Sequence, residues 1–349
     1  MKTYITEMNK CIELALNGAG ETSPNPMVGC VILDSEEKEI VSTGYHKKYG
    51  ENHAERDALL KLENAKGCTL IVNLEPCSHF GKTPPCCDLI IEKGIKRVVY
   101  GMQDPNPVVS GNGLKKLQAA GVEVIGPILE KECRDLNEVF VKNHVKKQIF
   151  VALKTATTID GKIATYCGDS KWITSEAARA EVRNIRKRYD AILTSSSTVL
   201  ADNPEMFHKK KIILDRTLKT DLNSKIYEQG DIYVFHDETI APKFEKSNVR
   251  YIPAPVKDGN IDIEYILNKL YELKIMSVLV ESGGVLNAAF LPYVDKLYHF
   301  IAPKVLGDNS GKSCFSGQRV DKISNCKNLE YVCMKSYEPD VLLVYKNLS

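Results

Sequence analysis

Two segments, GENHAERDAL at residues 50–59 and LEPCSHFGKTPPCC at residues 74–87, contain a His-x-Glu pair followed by Pro-Cys-x8-Cys. We expect His53 and Glu55 at the start of a helix, Cys77 at the end of a strand, and Cys86 at the start of the next helix. One imidazole and two thiolates leave the fourth tetrahedral position of a zinc ion open, which is typical of a catalytic site. The pattern therefore predicts one catalytic zinc ion per chain, held by His53, Cys77 and Cys86.

Glu55 is the predicted catalytic residue of this site. Bound zinc lowers the pKa of water from about 15.7 to about 7, and in zinc deaminases the non-ligand Glu of His-x-Glu moves the proton of that water. The product of such a reaction is a carbonyl group and ammonia. A closed structural zinc knuckle, or a chance run in which His53 caps a helix, is the alternative, and the deaminase order of the residues disfavours it.

The spacing of the cysteines departs from the usual deaminase signature. Cys86 follows Cys77 by nine residues instead of three, so the intervening SHFGKTPP at residues 78–85 is expected to form a loop over the site. Cys87 is adjacent and could replace Cys86 as the ligand. We favour Cys86.

Length and composition predict two domains. The chain has 349 residues, of which 43% are apolar and 26% charged, and a single core rarely organises so many residues. The polar break VKKQI at residues 145–149 suggests one domain over 1–147 and another over 148–349. In the first, a helix over 3–18 precedes a hairpin and then alternating helices and strands, ending in one helix over 130–143. This alternation indicates a mixed sheet flanked by helices, and the second domain is likewise α/β.

The charge balance and the N-terminus restrict the possible partners. Lys and Arg total 47 against 45 for Asp and Glu, which gives no electrostatic reason to bind a nucleic-acid backbone and favours small molecules. An amphipathic helix with Glu7 and Glu13 opens the chain in place of a signal peptide, and no stretch is apolar enough to span a membrane. Eleven scattered cysteines fit a reducing cytosol, so a cytoplasmic location without membrane partners is expected.

Motifs along nearly the whole chain resemble one family. PNPMVG (24–29), GYH (44–46), HAE (53–55) and PCSHFGKTPPC (76–86) resemble the deaminase half of the bifunctional riboflavin-biosynthesis deaminase/reductases, the RibD family. LKTATTIDGKIA (153–164), GDSKWIT (168–174), TVLADNP (198–204), VESGG (280–284) and IAPKVLG (301–307) resemble the reductase half, in the same order.

This resemblance implies a fold and two activities. The first domain would be a cytidine-deaminase-like three-layer α/β/α domain that removes the 2-amino group of a diaminohydroxy-phosphoribosylamino-pyrimidine. The second would have a dihydrofolate-reductase-like α/β fold and use NADPH to reduce the ribosyl group to ribityl. The resemblance and the apolar C-terminal strands also suggest a homodimer through the reductase domain.

The resemblance further implies binding residues. In the deaminase half they would surround the pyrimidine and phosphate of the substrate: Asn25, His46, Ser78, His79 and Lys82. In the reductase half the NADPH-facing positions would be Ala156, Trp172, Thr198, Asp202, Gly283, Gly284, Val285, Leu286, Asn287, Ala288 and Ala289. Those facing the substrate would be Ser170, Arg186, Met206 and Glu281.

Several of these residues also have simpler interpretations. Asn25 and His79 could be turn and helix-capping residues. Asp202, our candidate for assisting proton transfer, lies in an Asp-Asn-Pro sequence that is also an ordinary turn. Trp172, the single tryptophan, could simply pack in the core.

The phosphate groups of the cofactor and substrate also need binding partners. Strand SVLVES runs directly into Gly283 and Gly284 and then a helix, whose backbone N–H groups could hold phosphate, although such a glycine pair is a weak signal alone. Arg216, after strand KIILD, could pair with the cofactor 2′-phosphate or simply be solvated. After DNPEM the family usually continues with Thr and Arg, whereas this chain has FHKKK. Lys209 or Lys210 is therefore expected to replace the arginine as phosphate partner, without its bidentate fork.

Two other functional hypotheses remain. The chain could be a deaminase of a free or nucleic-acid base with a degenerate C-terminal scaffold, but the charge balance and the intact second-half motifs disfavour this. It could also be a zinc-stabilised nucleotide sensor. A sensor needs no general acid/base beside an open metal position, so Glu55 distinguishes the two.

Overall fold

The computed structural model describes residues 2–81, 83–106, 109–317 and 319–348. The chain forms two compact units, Met1–Lys147 and Gln148–Ser349. Each unit is a β-sheet with helices packed on it.

The first unit contains a five-stranded sheet in the order β2-β1-β3-β4-β5. Its strands are β1 (Gly29–Leu33), β2 (Ile40–Tyr45), β3 (Thr69–Leu74), β4 (Arg97–Met102) and β5 (Glu123–Ile125). Its helices are α1 (Ile5–Leu16), α2 (Ala54–Leu59), α3 (Cys86–Glu92), α4 (Asn112–Ala119), α5 (Glu130–Leu136) and α6 (Glu138–Val145). β1 is antiparallel to β2 and β3, whereas β3, β4 and β5 are parallel. The parallel pairs need crossovers, which α3 and α4 provide.

The core of this unit lies on both faces of the sheet. Every residue of β1 and β3 is buried, as expected for strands that helices cover on both sides. Gly44 in β2 lets α2 approach closely, because a Cβ there would lie 2.4 Å from Ala54 O and 2.5 Å from Ala58 N. This contact fixes the start of α2, where His53 lies.

The prediction of one continuous helix over residues 130–143 is wrong at the centre of that segment. The chain forms two helices that are interrupted at Asn137. Asn137 is buried, and its carboxamide accepts a hydrogen bond from Met27 N at 2.8 Å and donates one to Met27 O at 3.0 Å. This tertiary contact takes the place of regular helix at that residue.

The second unit contains a nine-stranded sheet in the order β11-β10-β9-β8-β14-β6-β15-β18-β17. Its strands are β6 (Phe150–Thr158), β8 (Ala191–Ser195), β9 (Lys210–Leu214), β10 (Asp231–Asp237), β11 (Val249–Ala254), β14 (Ser277–Val280), β15 (Lys296–Ala302), β17 (Leu329–Tyr337) and β18 (Asp340–Asn347). Two short pairs lie outside it: β12 (Val256–Lys257) with β13 (Asn260–Ile261), and β7 (Lys162–Ala164) with β16 (Lys312–Ser313). β18 runs antiparallel to both of its neighbours, β15 and β17, and every other neighbouring pair in the large sheet is parallel.

The helices of the second unit are α7 (Glu176–Arg186), α8 (Ser196–Asp202), α9 (Ile263–Glu272) and α10 (Gly284–Phe290). α8 has no counterpart in the sequence prediction. Ser195 caps it by accepting a hydrogen bond from Thr198 N, so a serine at the end of a buried strand was the available signal. In the described part of the chain, no helix is both long and apolar enough to cross a membrane.

Candidate active sites

The predicted metal ligands of the first unit lie together. His53 precedes α2, Cys77 follows β3, and Cys86 begins α3. His53 Nδ1 is 3.5 Å from Cys77 Sγ and 3.5 Å from Cys86 Sγ, and the three ligand atoms lie within 4.8 Å of one another. Zinc-bound nitrogen and sulfur in tetrahedral geometry lie roughly 3.6 Å apart. The three side chains therefore fit one zinc ion.

Cys87 faces a different part of the unit. Its Sγ contacts Pro76 O at 3.3 Å and Gly113 O at 3.6 Å. Successive residues of a helix point about 100° apart, so α3 directs only one of its two cysteines toward His53. Cys86 has this position.

Electrostatics at the site favour ionisation of the Cys77 thiol, whereas the hydrogen bond with Cys77 and burial raise the pKa of Cys86. The N-terminal ends of α2 and α3 meet here, and Cys86 N donates a hydrogen bond to Cys77 Sγ at 3.3 Å. Hydrogen bonds from Cys86 and His53 lower the pKa of the Cys77 thiol. Thiolate is the form that binds metal, so the chemistry of the donor set also fits zinc.

Glu55 lies in the first turn of α2 with only 3% of its surface exposed. Burial raises the pKa of its carboxyl to about 7. A carboxyl with this pKa can both accept and release a proton near neutral pH, which is the requirement for a general acid/base.

His46 and Asn25 are adjacent to the ligand cluster. The His46 ring packs edge-on against His53 with 5.4 Å between centroids, and its Nδ1 lies 3.0 Å from Asn52 O. Since a carbonyl oxygen only accepts, Nδ1 donates and Nε2 accepts from the Asn25 amide at 3.2 Å. Burial lowers the pKa of His46, so the ring is neutral and orients Asn25.

Ser78 and His79 line a small depression beside Cys77, together with Glu75. Lys82 lies outside the described residues. Glu75 was not predicted from the sequence as a residue of this site. Its buried carboxylate accepts hydrogen bonds from the backbone N–H groups of Gly111 and Gly113, both at 2.9 Å. Glu75 thus holds the loop after β4 next to Cys77, and an acidic residue ending a buried strand was its signal.

The second unit has a cavity of about 1340 Å³ at the carboxyl ends of β6, β8, β9 and β14. Sites for one small molecule usually occupy roughly 300–1,000 Å³, so the cavity has space for a cofactor and a substrate together. Most of the predicted residues line it: Ala156, Ser170, Trp172, Arg186, Thr198, Asp202, Met206, Arg216, Glu281, Gly283, Gly284, Val285, Leu286, Asn287 and Ala289.

Three predicted residues are not among those that line this cavity: Ala288, Lys209 and its alternative Lys210, the first residue of β9. Ala288 is buried, and its neighbours Asn287 and Ala289 line the cavity. Lys209 is exposed and directly precedes β9. It therefore lies at the amino end of that strand, whereas the cavity is reached at Leu214 on the carboxyl end.

Trp172 does not pack in the core. Its side chain is 62% exposed on the cavity wall, and the Arg179 guanidinium lies 4.4 Å from its ring centroid. Asp202 is the last residue of α8, and Asn203 after it adopts the left-handed conformation. Asp202 therefore belongs to the helix and not to a turn.

Glu281 forms the buried ionic centre of the cavity. Its Oε1 accepts from Arg186 Nε at 2.6 Å and its Oε2 from Nη2 at 3.1 Å, and Lys154 Nζ lies 3.2 Å from Oε2. Burial alone would raise the pKa of Glu281, but the charges of Lys154 and Arg186 hold it at about 2. Lys154 was missed in the sequence, where a lysine within the buried strand β6 was its signal.

The two glycines after β14 have different surroundings. A Cβ on Gly284 would lie 2.2 Å from Ser313 O, so only glycine allows this close approach. A Cβ on Gly283 would meet nothing within 4 Å. The open space beside Gly283 belongs to the cavity and fits a bound cofactor there.

Comparison with known proteins identifies the family. Residues 149–343 match the RibD C-terminal domain, and residues 1–102 match the cytidine and deoxycytidylate deaminase zinc-binding region. The riboflavin biosynthesis protein RibD of Actinobacillus pleuropneumoniae is 39% identical, covering 99% of this chain and 96% of its own. The chain belongs to the RibD family. It therefore combines a zinc-binding deaminase domain and an NADPH-dependent reductase domain in a bifunctional enzyme of riboflavin biosynthesis.

Solved RibD structures confirm the predicted fold class. A diaminohydroxyphosphoribosylaminopyrimidine deaminase/5-amino-6-(5-phosphoribosylamino)uracil reductase of Thermotoga maritima is 40% identical with a TM-score of 0.87, covering 99% of each chain. Acinetobacter baumannii RibD is 32% identical with a TM-score of 0.86, covering 98% of each chain. The cytidine-deaminase-like and dihydrofolate-reductase-like domains expected from the RibD resemblance are both present.

Proposed function

We propose that residues 1–147 deaminate 2,5-diamino-6-(5-phosphoribosylamino)pyrimidin-4-one and that residues 148–349 reduce the ribosyl group of the product. The final product would be 5-amino-6-(5-phosphoribitylamino)uracil. The observation that carries this proposal is the pairing, in one chain, of a His53–Cys77–Cys86 cluster beside buried Glu55 with a large cavity rich in basic residues. The activities named for the Thermotoga maritima relative agree with it.

In the deaminase domain, His53, Cys77 and Cys86 would hold the zinc ion. When bound, zinc lowers the pKa of a coordinated water to about 7. Glu55 would accept a proton from the attacking water and deliver it to the pyrimidine ring nitrogen and then to the leaving amine. Asn25, oriented by neutral His46, hydrogen-bonds the pyrimidine. Ser78, His79 and Lys82 complete the substrate contacts.

In the reductase domain, NADPH would supply hydride to the ribosyl carbon. Ala156, Thr198, Trp172 and the segment Gly283–Ala289 would hold the cofactor, and Arg216 would pair with its 2′-phosphate. Asp202 assists the accompanying proton transfer. Ser170, Met206 and the Glu281–Arg186 pair position the ribosyl group, because a bidentate pair fixes the geometry of both partners.

We also propose a homodimer formed through the reductase domain. β17 is an edge strand of the nine-stranded sheet. Its side chains Tyr331, Val332 and Met334 are all exposed. An exposed edge strand with apolar side chains is a common site of strand pairing between chains.

A coupled assay on the purified protein tests the two activities. Ammonia release and NADPH oxidation would be followed with the diaminopyrimidine substrate, with and without a zinc chelator. We expect chelation to abolish both signals and pre-deaminated substrate to restore NADPH oxidation. Ammonia release without NADPH oxidation would contradict the reductase half of the proposal, and chelator-resistant ammonia release would contradict the zinc assignment.

A further inference from the structure

Helix α7 presents three arginines to the reductase cavity. Arg179, Arg183 and Arg186 all line it, together with Val182 between them. Spacings of four and three residues place side chains on one face of a helix. The cavity wall formed by α7 is therefore a row of guanidinium groups.

Two of the three arginines already have partners. Arg186 is bidentate to Glu281, which balances its charge. Arg179 Nη1 donates to Thr174 O at 2.6 Å, and the same guanidinium stacks on the Trp172 ring. Both side chains are thereby held in place by the protein itself.

Arg183 differs from its two neighbours. It is exposed on the cavity wall. Within the ranges that the structure describes, it makes no hydrogen bond and no ion pair. A free guanidinium in a cavity can bind an anion from outside the protein, and its planar fork matches two phosphate oxygens better than an ammonium does.

We propose that Arg183 binds the phosphate group of the reductase substrate. This inference rests on the proposed function, which gives the substrate a phosphate. The family pattern predicts Lys209 or Lys210 in this role, but Lys209 directly precedes β9, Lys210 begins it, and neither is among the residues that line the cavity. α7 thus supplies from another element the arginine that the FHKKK segment lacks.

Three single variants and two substrates test the assignment. Arg183→Ala removes the fork, and Lys209→Ala removes the competing residue. Arg188→Ala is the matched control, because Arg188 lies two residues beyond the end of α7, is exposed, and is not among the residues that line the cavity. Each variant would be assayed for NADPH oxidation with the pre-deaminated substrate and with its dephosphorylated counterpart, and NADPH affinity would be measured separately.

For Arg183→Ala we expect kcat/KM to fall about 10- to 100-fold on the phosphorylated substrate, mainly through KM, since a charge-assisted bidentate contact is lost. The dephosphorylated substrate and NADPH affinity should be unaffected, and Arg183→Lys should recover part of the loss. Lys209→Ala and Arg188→Ala should behave as wild type.

Three results would overturn the assignment. Arg183→Ala could match Arg188→Ala, it could impair both substrates equally, or Lys209→Ala could show the phosphate-specific loss instead. Wild-type protein that oxidises NADPH with neither substrate would count against the proposed function as well, because Arg183 would then have no phosphorylated ligand. If the wild-type protein oxidises NADPH with the phosphorylated substrate and one of the three results above is found, only the assignment of Arg183 is wrong and the proposed function stands.

Discussion

The deaminase site and the reductase cavity are built on different scales. The metal ligands come from three short segments, with ligand atoms within 4.8 Å of one another. The reductase cavity has about 1340 Å³ and draws its lining from residues 154–316. A compact site depends on every ligand, whereas a wide cavity distributes binding over many side chains. Single substitutions should therefore have larger effects in the first unit.

The largest effect is expected from Cys86→Ser. The structure directs Cys86 toward His53 and Cys87 toward Pro76 O. Loss of a ligand from a three-residue site should release zinc and lower deaminase turnover by more than about 10²-fold. Cys87→Ser is the matched control and should retain the metal. Zinc content, measured by atomic absorption, and the rate of ammonia release would show which of the two cysteines binds the metal. Zinc loss from the Cys87 variant alone would reverse the assignment.

Glu55→Gln should have the second-largest effect on deaminase turnover. The amide keeps the shape of the buried side chain but cannot accept the proton, so turnover should fall by about 10²- to 10⁴-fold. Zinc content should stay unchanged. NADPH oxidation with pre-deaminated substrate serves as the internal control, because Glu55 belongs to the other unit. Normal ammonia release by this variant would exclude Glu55 as the general acid/base.

Asp202→Asn probes the wide cavity in the same manner. The substitution removes one charge that assists proton transfer, so kcat for NADPH oxidation should fall by about 10²-fold. This is the lower end of the range usual for loss of a general acid or base. NADPH affinity, measured by quenching of Trp172 fluorescence, should change little because many residues share cofactor binding. An unchanged kcat would remove Asp202 from the catalytic residues.

Glu281→Gln should have the smallest effect of the four substitutions, and the quantity that it changes is the stability of the folded protein. Gln leaves Arg186 and Lys154 without their charged partner, at a cost of about 2 kcal/mol in the free energy of unfolding. Glu281 has a folded-state pKa of about 2 against an ordinary 4.5. Its contribution is therefore complete above about pH 4.5 and is lost as the pH falls toward 2.

Urea midpoints of wild type and Glu281→Gln, followed by Trp172 fluorescence at pH 7 and pH 3, check this prediction. The difference between them should shrink at the lower pH. Glu245→Gln, at an exposed glutamate, should match wild type at both. A difference that grew at pH 3 would contradict the ion-pair explanation.

Much of the first site was predictable because its chemistry is encoded locally. His53 and Glu55 are two residues apart at a helix start, and Pro-Cys follows a buried strand, so the short-range pattern nearly determines their geometry. The choice between Cys86 and Cys87 was open, since adjacent residues differ only by the rotation of α3 about its axis. That rotation depends on how α3 packs in the core.

The reductase half was less predictable because its site joins distant segments. Lys154 and Glu281 are 127 positions apart, and only the pairing of β6 with β14 brings them together. Trp172 was assigned an alternative role in the core, although hydrophobicity alone does not distinguish a buried indole from one on a cavity wall. Asn137 interrupts a continuous helical pattern because of its contact with Met27.

The sequence by itself determined the family, the His53 and Cys77 part of the candidate zinc site and the order of most strands and helices, because local patterns of chemistry and hydrophobicity carry this information. Only the tertiary structure decided which face each ambiguous side chain occupies. Cys86 faces the metal site, Lys209 lies at the amino end of β9, and Arg183 lies on the cavity wall. The reason is that helix rotation and strand direction depend on packing between distant segments, which no short stretch of sequence specifies.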